Sequence, residues 1–532
     1  MTDASGHARA VAAHEEGVAH HAAGRFPQAI EAYQRAIAAG LAESMAHLNL
    51  ANALRMAGRE GEALPHFEEA ARLDPASADA HNFLGIAYLI AGRAADAVES
   101  FRRVLGLRPD LGAARVHLGN ALAAAGRRDE ALAAFRSAIA RNPRDENALA
   151  DMGALLIDMG DLQGARRSVE AALRLRPDLP GALLNLGLVL REEGRIDEAA
   201  ALFERSLALR PGYARAEYNL ALARLTRGRY AEGWRLQEAR FRAVPPVSAW
   251  RALPTPVFSA GDFGKGHRVA IWREQGIGDQ ILYSTPLVDL EARGESFTLE
   301  ADARLVPALR RAHPSWSIVA PQDSAGAFAA TDRHAPLASM AGLLRPDAAS
   351  FERQSRVFLV PDSDRASGYR SLLASPGRRV VGISWRSFQQ KDRAYLESRK
   401  SAPLAAFARL AARPDLRLVD LQYGDTAEER ARFEGDLTRI ESLDLFNDLD
   451  GLLAAIDACD VVVTTSNVTA HLAGAAGKRT LLVYLHDIPA FHYWATDSEG
   501  RCRWYPSVRI VTGRDIDTWP RAIGRVDDLL GR

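Results

Sequence analysis

ADAHNFLGIAYLIAGRAADAVESFRRVLGLRPDL, residues 78–111, returns in altered form along the first half of the chain. Ala29, Ala63, Ala97, Ala131, Ala165 and Ala199 recur at a constant step of 34 residues. Twelve residues before each lies a small side chain, Gly17, Ala51, Gly85, Gly119, Gly153 or Gly187, with Ala221 next in the series. Pro75, Pro109, Pro143, Pro177 and Pro211 close successive units. Small residues let two helices approach closely, and a proline stops the second helix because it lacks the N–H that continuation needs. Tyr33, Phe67, Phe101, Phe135 and Phe203 keep the same step and are expected to fill space between neighbouring units.

A 34-residue period of helix pairs is the tetratricopeptide signature. About seven units, forming an α-solenoid over residues 10–242, are expected to begin near Ala10, Ser44, Ala78, Gly112, Glu146, Pro180 and Ala214. The last is degenerate, with Gly233 and Gln237 at its alanine and aromatic positions. A degenerate terminal unit reads as a cap that docks onto the next domain. The sixth and ninth positions of each unit share one face of its first helix, and they include Asn49, Asn52, Asn120, Asn185 and Asn219, with Phe83, Ile86, His117 and Asp151 interspersed. Amides both donate and accept, so such a row suits an extended peptide backbone. It resembles, incompletely, the asparagine ladder of protein O-linked N-acetylglucosamine transferases, and implies a protein acceptor or partner in the groove.

The chain has 532 residues, more than one core organises. Its 67 Lys plus Arg balance 67 Asp plus Glu, leaving no overall field for nucleic acid or an anionic membrane. Met1 to Glu16 lacks the apolar run of a signal peptide, and no window approaches a membrane span, so a cytoplasmic protein without a span is expected. Two cysteines, Cys459 and Cys502, fit a reducing compartment, and Cys459 sits in an apolar run.

Pro245, Pro246, Pro254 and Pro256 mark a proline-rich linker over 243–265. Beyond it the grammar changes to strand, glycine turn, helix. Arg268 to Trp272 reads as a strand, Gly276 to Asp279 as a turn, and Gln280 to Arg293 as a helix. Strands at Ser296 to Glu300 and Trp316 to Val319 alternate with a helix at Arg304 to Ala312, giving a first parallel lobe over 266–360. A second lobe, 361–532, opens at Arg379 to Arg386 and continues through a helix at Leu404 to Ala412 and strands at Leu416 to Gln422 and Asp460 to Thr464.

Gly-Ile-Gly-Asp at 276–279, Gly-Ile-Ser-Trp-Arg at 382–386 and Thr-Ala-His-Leu-Ala-Gly at 469–474 resemble heptosyltransferase-type glycosyltransferases. The order of parts is similar to bacterial proteins that place tetratricopeptide repeats before such a domain, flagellin glycosyltransferases among them. The resemblance implies the GT-B fold, two Rossmann-like lobes with the acceptor on the first and a nucleotide-activated sugar on the second. It also implies inversion without a metal or other cofactor.

Inverting transfer needs a base for the acceptor hydroxyl and a cationic or dipolar receiver for the leaving phosphate. Asp279 stands where the resemblance places the catalytic base, on a turn that Gly276 and Gly278 tighten. It also suits a helix cap, a use that would keep its pKa low. Thr464, Thr465, Ser466 and Asn467 lie between a strand and a helix over Val468 to Ala475, so backbone amides there are expected to face an anion. Thr469 and Ala470 belong to the same turn, and His471 is expected to add a donor, as the resemblance suggests. Where heptosyltransferases typically carry Asp-Thr, this chain has Ser466-Asn467.

Ser384, Trp385 and Arg386 end the first strand of the second lobe, and Lys391, Arg393, Arg399 and Lys400 add positive charge beyond it. Gln422 and Tyr423 end a strand on the same side and are candidate contacts to a nucleotide base. His486, His492 and Trp494 have poor spacing for zinc, so no metal is expected.

These readings describe a glycosyltransferase that moves a sugar from a nucleotide-activated donor to a protein held by the repeats, a flagellin being what the resemblance implies. Two alternatives remain open: a catalytically inactive scaffold, and a transferase acting on a lipopolysaccharide or other glycan.

Overall fold

A computed structural model describes residues 4–387, 400–485, 492–497, 499–513 and 515–531. Lys391, Arg393, Arg399 and His486 lie outside these residues. The chain divides into two compact units, Met1–Asn185 and Leu186–Arg532.

In the repeat region the first helices of the units run Ala4–Ala22, Ser44–Met56, Ala78–Ile90, Gly112–Ala124, Glu146–Met159, Pro180–Glu192 and Ala214–Thr226. Each is followed by a second helix: Phe26–Ala38, Glu60–Leu73, Ala94–Leu107, Arg128–Arg141, Leu162–Leu175, Ile196–Leu209 and Tyr230–Gln237. Six of the seven expected starts are met to the residue, and the first helix begins earlier than Ala10, at Ala4.

The glycine positions work within a unit. A Cβ on Gly17, Gly85, Gly119 or Gly187 would come within 2.5 to 2.7 Å of the ring of Tyr33, Phe101, Phe135 or Phe203. So the aromatic of the second helix packs on its own unit's glycine, whereas the sequence assigned it to the space between units. Phe101 does both, stacking also on His117 of the next unit, and Phe67, whose own unit has Ala51 at the glycine position, stacks on Phe83 of the next. A further register escaped the sequence reading. Gly24, Gly58, Gly92, Gly126, Gly160, Gly194 and Gly228 all have positive φ at the turn between paired helices, where a side chain is disfavoured.

The second unit contains, besides the last repeat helices, two all-parallel sheets. The first has order β3-β2-β1-β4, with β1 Arg268–Trp272, β2 Ser296–Glu300, β3 Ser317–Val319 and β4 Arg333–Pro336. The second has order β6-β5-β7-β8-β9, with β5 Arg379–Ser384, β6 Leu416–Asp420, β7 Val461–Thr464, β8 Thr480–Val483 and β9 Val508–Val511. In both, the first strand lies inside and its successors pair on either side, which leaves the carboxyl end of the inner strand at a topological switch point. Buried Val462 and Val463 of β7 are covered from opposite faces, as the apolar run Val461–Val463 requires.

Several expected elements differ. The helix over Gln280 to Arg293 is two, Ile277–Ser284 and Leu287–Ala292, because Pro286 cannot donate to the preceding turn. The helix over Arg304 to Ala312 starts at Val306, and the one over Leu404 to Ala412 is a 3-10 turn, Leu404–Phe407, followed by Ala408–Ala411. Strand β4, with Arg333 and His334 at its start and Pro336 at its end, was not anticipated.

The degenerate seventh unit packs into the α/β core. Trp234 donates from Nε1 to the Arg345 carbonyl at 2.8 Å and lies against Gly342, and Tyr230 packs on Phe351. Cys459 and Cys502 are both free and buried, and burial pushes each thiol up to about 12. Among the described residues no helix is long and apolar enough to cross a membrane.

Candidate functional site

The Gly276–Asp279 turn follows β1, and the helix it opens starts at Ile277, so Asp279 sits at the third helical position. Its carboxylate reaches back to accept the Gly276 N–H at 3.3 Å. That hydrogen bond, half of a capping box because glycine has no side chain to return one, closes the turn. Gly278 is pressed against the second lobe: a Cβ there would stand 2.7 Å from Cδ2 and 3.0 Å from Nε2 of His471. The two motifs, 193 residues apart by 471 minus 278, are therefore in direct contact.

His471 is buried in the helix Val468–Ala475, with Nδ1 3.1 Å from Tyr505 Oη and the ring packed on Trp494 and Tyr493. Burial, with the charge of Lys400 adding to it, lowers its pKa to about 3, so the ring is neutral. A neutral imidazole still offers one donor, and which nitrogen carries it follows from the partner of the other.

Asp279 behaves against the capping expectation. Enclosure by protein raises its pKa to about 6, overriding the opposing effects of the Lys400 charge and the Gly276 hydrogen bond. Its side chain is nevertheless not closed off from solvent. Four tyrosines surround this carboxylate closely enough for its charge to raise their pKa values further, beyond what burial does: Tyr218, Tyr283, Tyr493 and Tyr505. Tyr218 comes from the first helix of the last repeat unit. A base with a pKa near 6 is ionised at neutral pH and still basic enough to receive a proton.

The Ser466-Asn467 loop is arranged differently from expectation. Asn467 caps the His471 helix, its Oδ1 accepting from the Ala470 N–H at 3.2 Å and from Thr464 Oγ1 at 3.1 Å. Its Nδ2 donates to Ser384 Oγ at 2.8 Å and to the Arg386 carbonyl at 3.1 Å. The Val468 N–H donates to Tyr423 Oη at 3.5 Å, and Ser466 Oγ accepts from Trp494 Nε1 at 2.9 Å. Thr465 donates its N–H to the Ser384 carbonyl, while its Oγ1 is buried without a hydrogen-bond partner. Three of the amides expected to face an anion, those of Thr465, Val468 and Ala470, thus already have acceptors. Thr469 Oγ1 donates to the Leu421 carbonyl at 3.3 Å.

Two assigned donor-site residues have structural uses. Trp385 is fully buried in the core, with Nε1 donating to Glu429 Oε2 at 2.5 Å. Gln422 is spent inside the protein: Oε1 accepts from Ser384 Oγ and the Trp385 and Arg386 N–H groups, and Nε2 donates to the Arg386 and Tyr423 carbonyls. A fully used amide cannot read a nucleotide base. Both therefore shape the strand end instead of contacting a ligand. Arg386 pairs with Glu429 at 3.0 Å, and Lys400 is buried near Asp279 and His471.

The groove asparagines also have partners. Asn49 Nδ2 meets His14 Nε2 at 3.1 Å, Asn120 donates to Asp151 at 2.9 Å, and Asn185 to the Ala150 carbonyl at 3.1 Å. Asn219 accepts from Arg191 at 2.5 Å. These bonds link successive units, while Asn52 Oδ1 is buried without a hydrogen-bond partner. His492 is packed beside Tyr283 and Trp234, and burial lowers it to about 3. Among the described residues no group of three or more His, Cys, Asp or Glu gathers to hold a metal.

Fold and site together define a tetratricopeptide-repeat array continued by parallel α/β sheets. Models described as tetratricopeptide repeat match residues 14–77, 61–112, 150–214 and 184–234, and another of the same description matches 88–152. The chain is similar to Protein FlbA of Caulobacter vibrioides, 29% identical over 320 residues, covering 56% of this chain and 52% of that protein. It thus spans about half the length of the curated relative it matches. Among solved structures, a thermophilic tetratricopeptide protein of Thermus thermophilus is 25% identical with a TM-score of 0.32, over 34% of this chain and 99% of that one. YrrB, a tetratricopeptide protein with an unusual peptide-binding site, is 23% identical with a TM-score of 0.28, over 35% of this chain and 96% of that one.

Proposed function

We propose that the chain is a metal-independent glycosyltransferase of GT-B type that moves a sugar from a nucleotide-activated donor to a hydroxyl of a protein bound by the repeats. The observation that carries this reading is the contact of Gly278 with His471, which gathers the Asp279 carboxylate, Lys400 and the start of the His471 helix around one spot. Asp279, ionised above about pH 6, takes the proton of the acceptor hydroxyl as its oxygen bonds to the anomeric carbon. The bond from that carbon to the phosphate oxygen breaks with inversion, and the nucleotide leaves with the electron pair on its terminal phosphate. Lys400 supplies positive charge to the departing phosphate, and His471 a neutral donor. The acceptor class, a flagellin in its most specific form, rests on the resemblance of the motifs.

The test is calorimetric titration of the full chain with UDP-, GDP-, ADP- and CMP-sugars, followed by mass spectrometry of proteins captured on the repeats. Binding of one nucleotide-sugar class, and a glycan mass on the captured protein that Asp279→Ala abolishes, is the expected result. No binding of any class would return the chain to the scaffold reading, and a glycan missing only from envelope polysaccharide would point to a glycan acceptor.

A further inference from the structure

Arg240 is completely buried at the end of the last repeat unit, in the 3-10 turn Glu238–Phe241, with its guanidinium over the Phe241 ring. All five of its N–H groups have acceptors. Nε and Nη2 hold the two oxygens of Glu274 at 2.7 and 2.9 Å, and Nη2 also donates to Ser339 Oγ at 2.7 Å. Nη1 donates to the Gln237 carbonyl and Glu238 Oε1. Glu274, itself buried, takes a further N–H from Ala338 at 3.0 Å. A fully buried ion pair is retained only where geometry and extra hydrogen bonds offset the loss of hydration, and this one has both.

What the pair anchors is an unusual piece of backbone. The residue after Glu274, Gln275, has φ of 59°, and no other non-glycine residue among those described has positive φ. Such a conformation persists only when its surroundings impose it, and it clusters at functional turns. Glu274 fixes the turn on one side of Gln275, and the Gly276 N–H bond to Asp279 fixes it on the other. Nothing in β1 itself requires a buried acid next to a left-handed glutamine.

We propose that Arg240 is the positioning residue of the Asp279 turn: by gripping Glu274 with a bidentate fork, the end of the repeat array sets the conformation in which the Asp279 carboxylate faces inward between the lobes. The site is then built by three pieces of chain, the last repeat, the β1 turn and the His471 helix, and the α/β half alone does not hold it. The role of Asp279 as a base rests on the function proposed above; its placement by Arg240 does not.

The experiment tracks the protonation of Asp279 in the full chain by infrared difference spectra, each protein minus the same protein with Asp279→Asn, between pH 4 and 8. Wild type should titrate near 6. Arg240→Lys keeps the buried charge but loses the fork, so the turn loosens, the carboxyl gains water, and its midpoint should fall by about one pH unit toward the ordinary carboxylate range. Arg240→Met should fall likewise. Charge alone predicts the opposite pattern, no change for lysine and a rise for methionine. An unchanged or raised midpoint in Arg240→Lys overturns the proposal, and that variant decides alone if Arg240→Met does not fold. A fall in midpoint in a protein that transfers no sugar would leave the positioning intact and remove the transferase reading instead.

Discussion

Gly278 and His471 touch so closely that one added methyl group on the glycine would stand 2.7 Å from the imidazole. The ring cannot easily yield, since Tyr505 holds Nδ1 and Trp494 covers its face at 4.8 Å. Gly278→Ala should therefore separate the turn from the His471 helix, at about 1–3 kcal/mol of overpacking. Ligand affinity should fall at least about tenfold, because the groups gathered there are no longer in register. Gly276→Ala is the control: its Cβ meets only Asp279 Oδ2, at 3.6 Å. Equal thermal shifts and affinities for the two variants would show that the contact is incidental.

Asp279 gives a pH signature with a defined sign. Its pKa is about 6 in the folded chain against an ordinary value of 3.8, so the folded state favours the protonated acid. Below about pH 4 the carboxyl is protonated folded and unfolded alike, and its ionisation costs the fold nothing; above 6 it is ionised in both, and the fold bears the cost. Asp279→Asn should consequently stabilise the protein at pH 8 by about 1–2 kcal/mol, after allowance for the partial solvent access of the group. Melting curves at pH 4 and pH 8 should show the advantage shrinking toward the acid end. In transfer assays the same group gives a limb that declines below pH 6. A melting difference equal at both pH values would contradict the raised pKa.

The repeat region was legible almost to the residue because each unit is a local structure whose spacing repeats, so that one glycine's role is checked by the others. Strands β1 and β2 were equally plain, the first an apolar run after Arg268 and the second an alternation of polar and apolar residues, each bounded by turn residues. Strand β4 was not, since Arg333, His334 and Pro336 mask a strand whose place is set by pairing with β1. The site was readable as motifs but not as contacts. Gln422 was found at the correct strand end, yet sequence does not say that its amide turns inward. Tyr218, Tyr283, Tyr493 and Arg240 come from separate parts of the chain, and no spacing rule joins them. Gln275 beside the Gly-Ile-Gly-Asp turn carried no signal for a left-handed residue, since that conformation is imposed from outside the segment.

In the repeats, Gly119 and Phe135 form a testable pair, with a Cβ on Gly119 reaching 2.7 Å from the ring. Alanine is the better helix former by about 1 kcal/mol, so local propensity predicts that Gly119→Ala stabilises. Packing predicts a net loss of about 1–3 kcal/mol instead. The two mutations should also couple: Phe135→Leu made in the Gly119→Ala background should cost less than in wild type, by at least about 0.5 kcal/mol. Urea unfolding of the four proteins measures this, and strict additivity would mean that ring and glycine do not constrain each other.

Ser466-Asn467 stands where the resemblance leads one to expect Asp-Thr, and the hydrogen bonds of Asn467 show what an amide does there. As an acceptor it caps the His471 helix, a task aspartate performs equally well. As a donor it ties that helix to Ser384 Oγ and to the Arg386 carbonyl, which aspartate cannot do. Asn467→Asp keeps the size and the cap, removes both donated bonds, and sets a carboxylate against a carbonyl oxygen in a buried place. The expected cost is about 1–3 kcal/mol, the range for a buried acceptor left unpaired. Because the replacement titrates, the loss should be smaller near pH 4, where a protonated aspartic acid regains one donor. A variant as stable as wild type at pH 8 would mean that the amide's two donated bonds hold nothing in place and do not join β5 to the His471 helix.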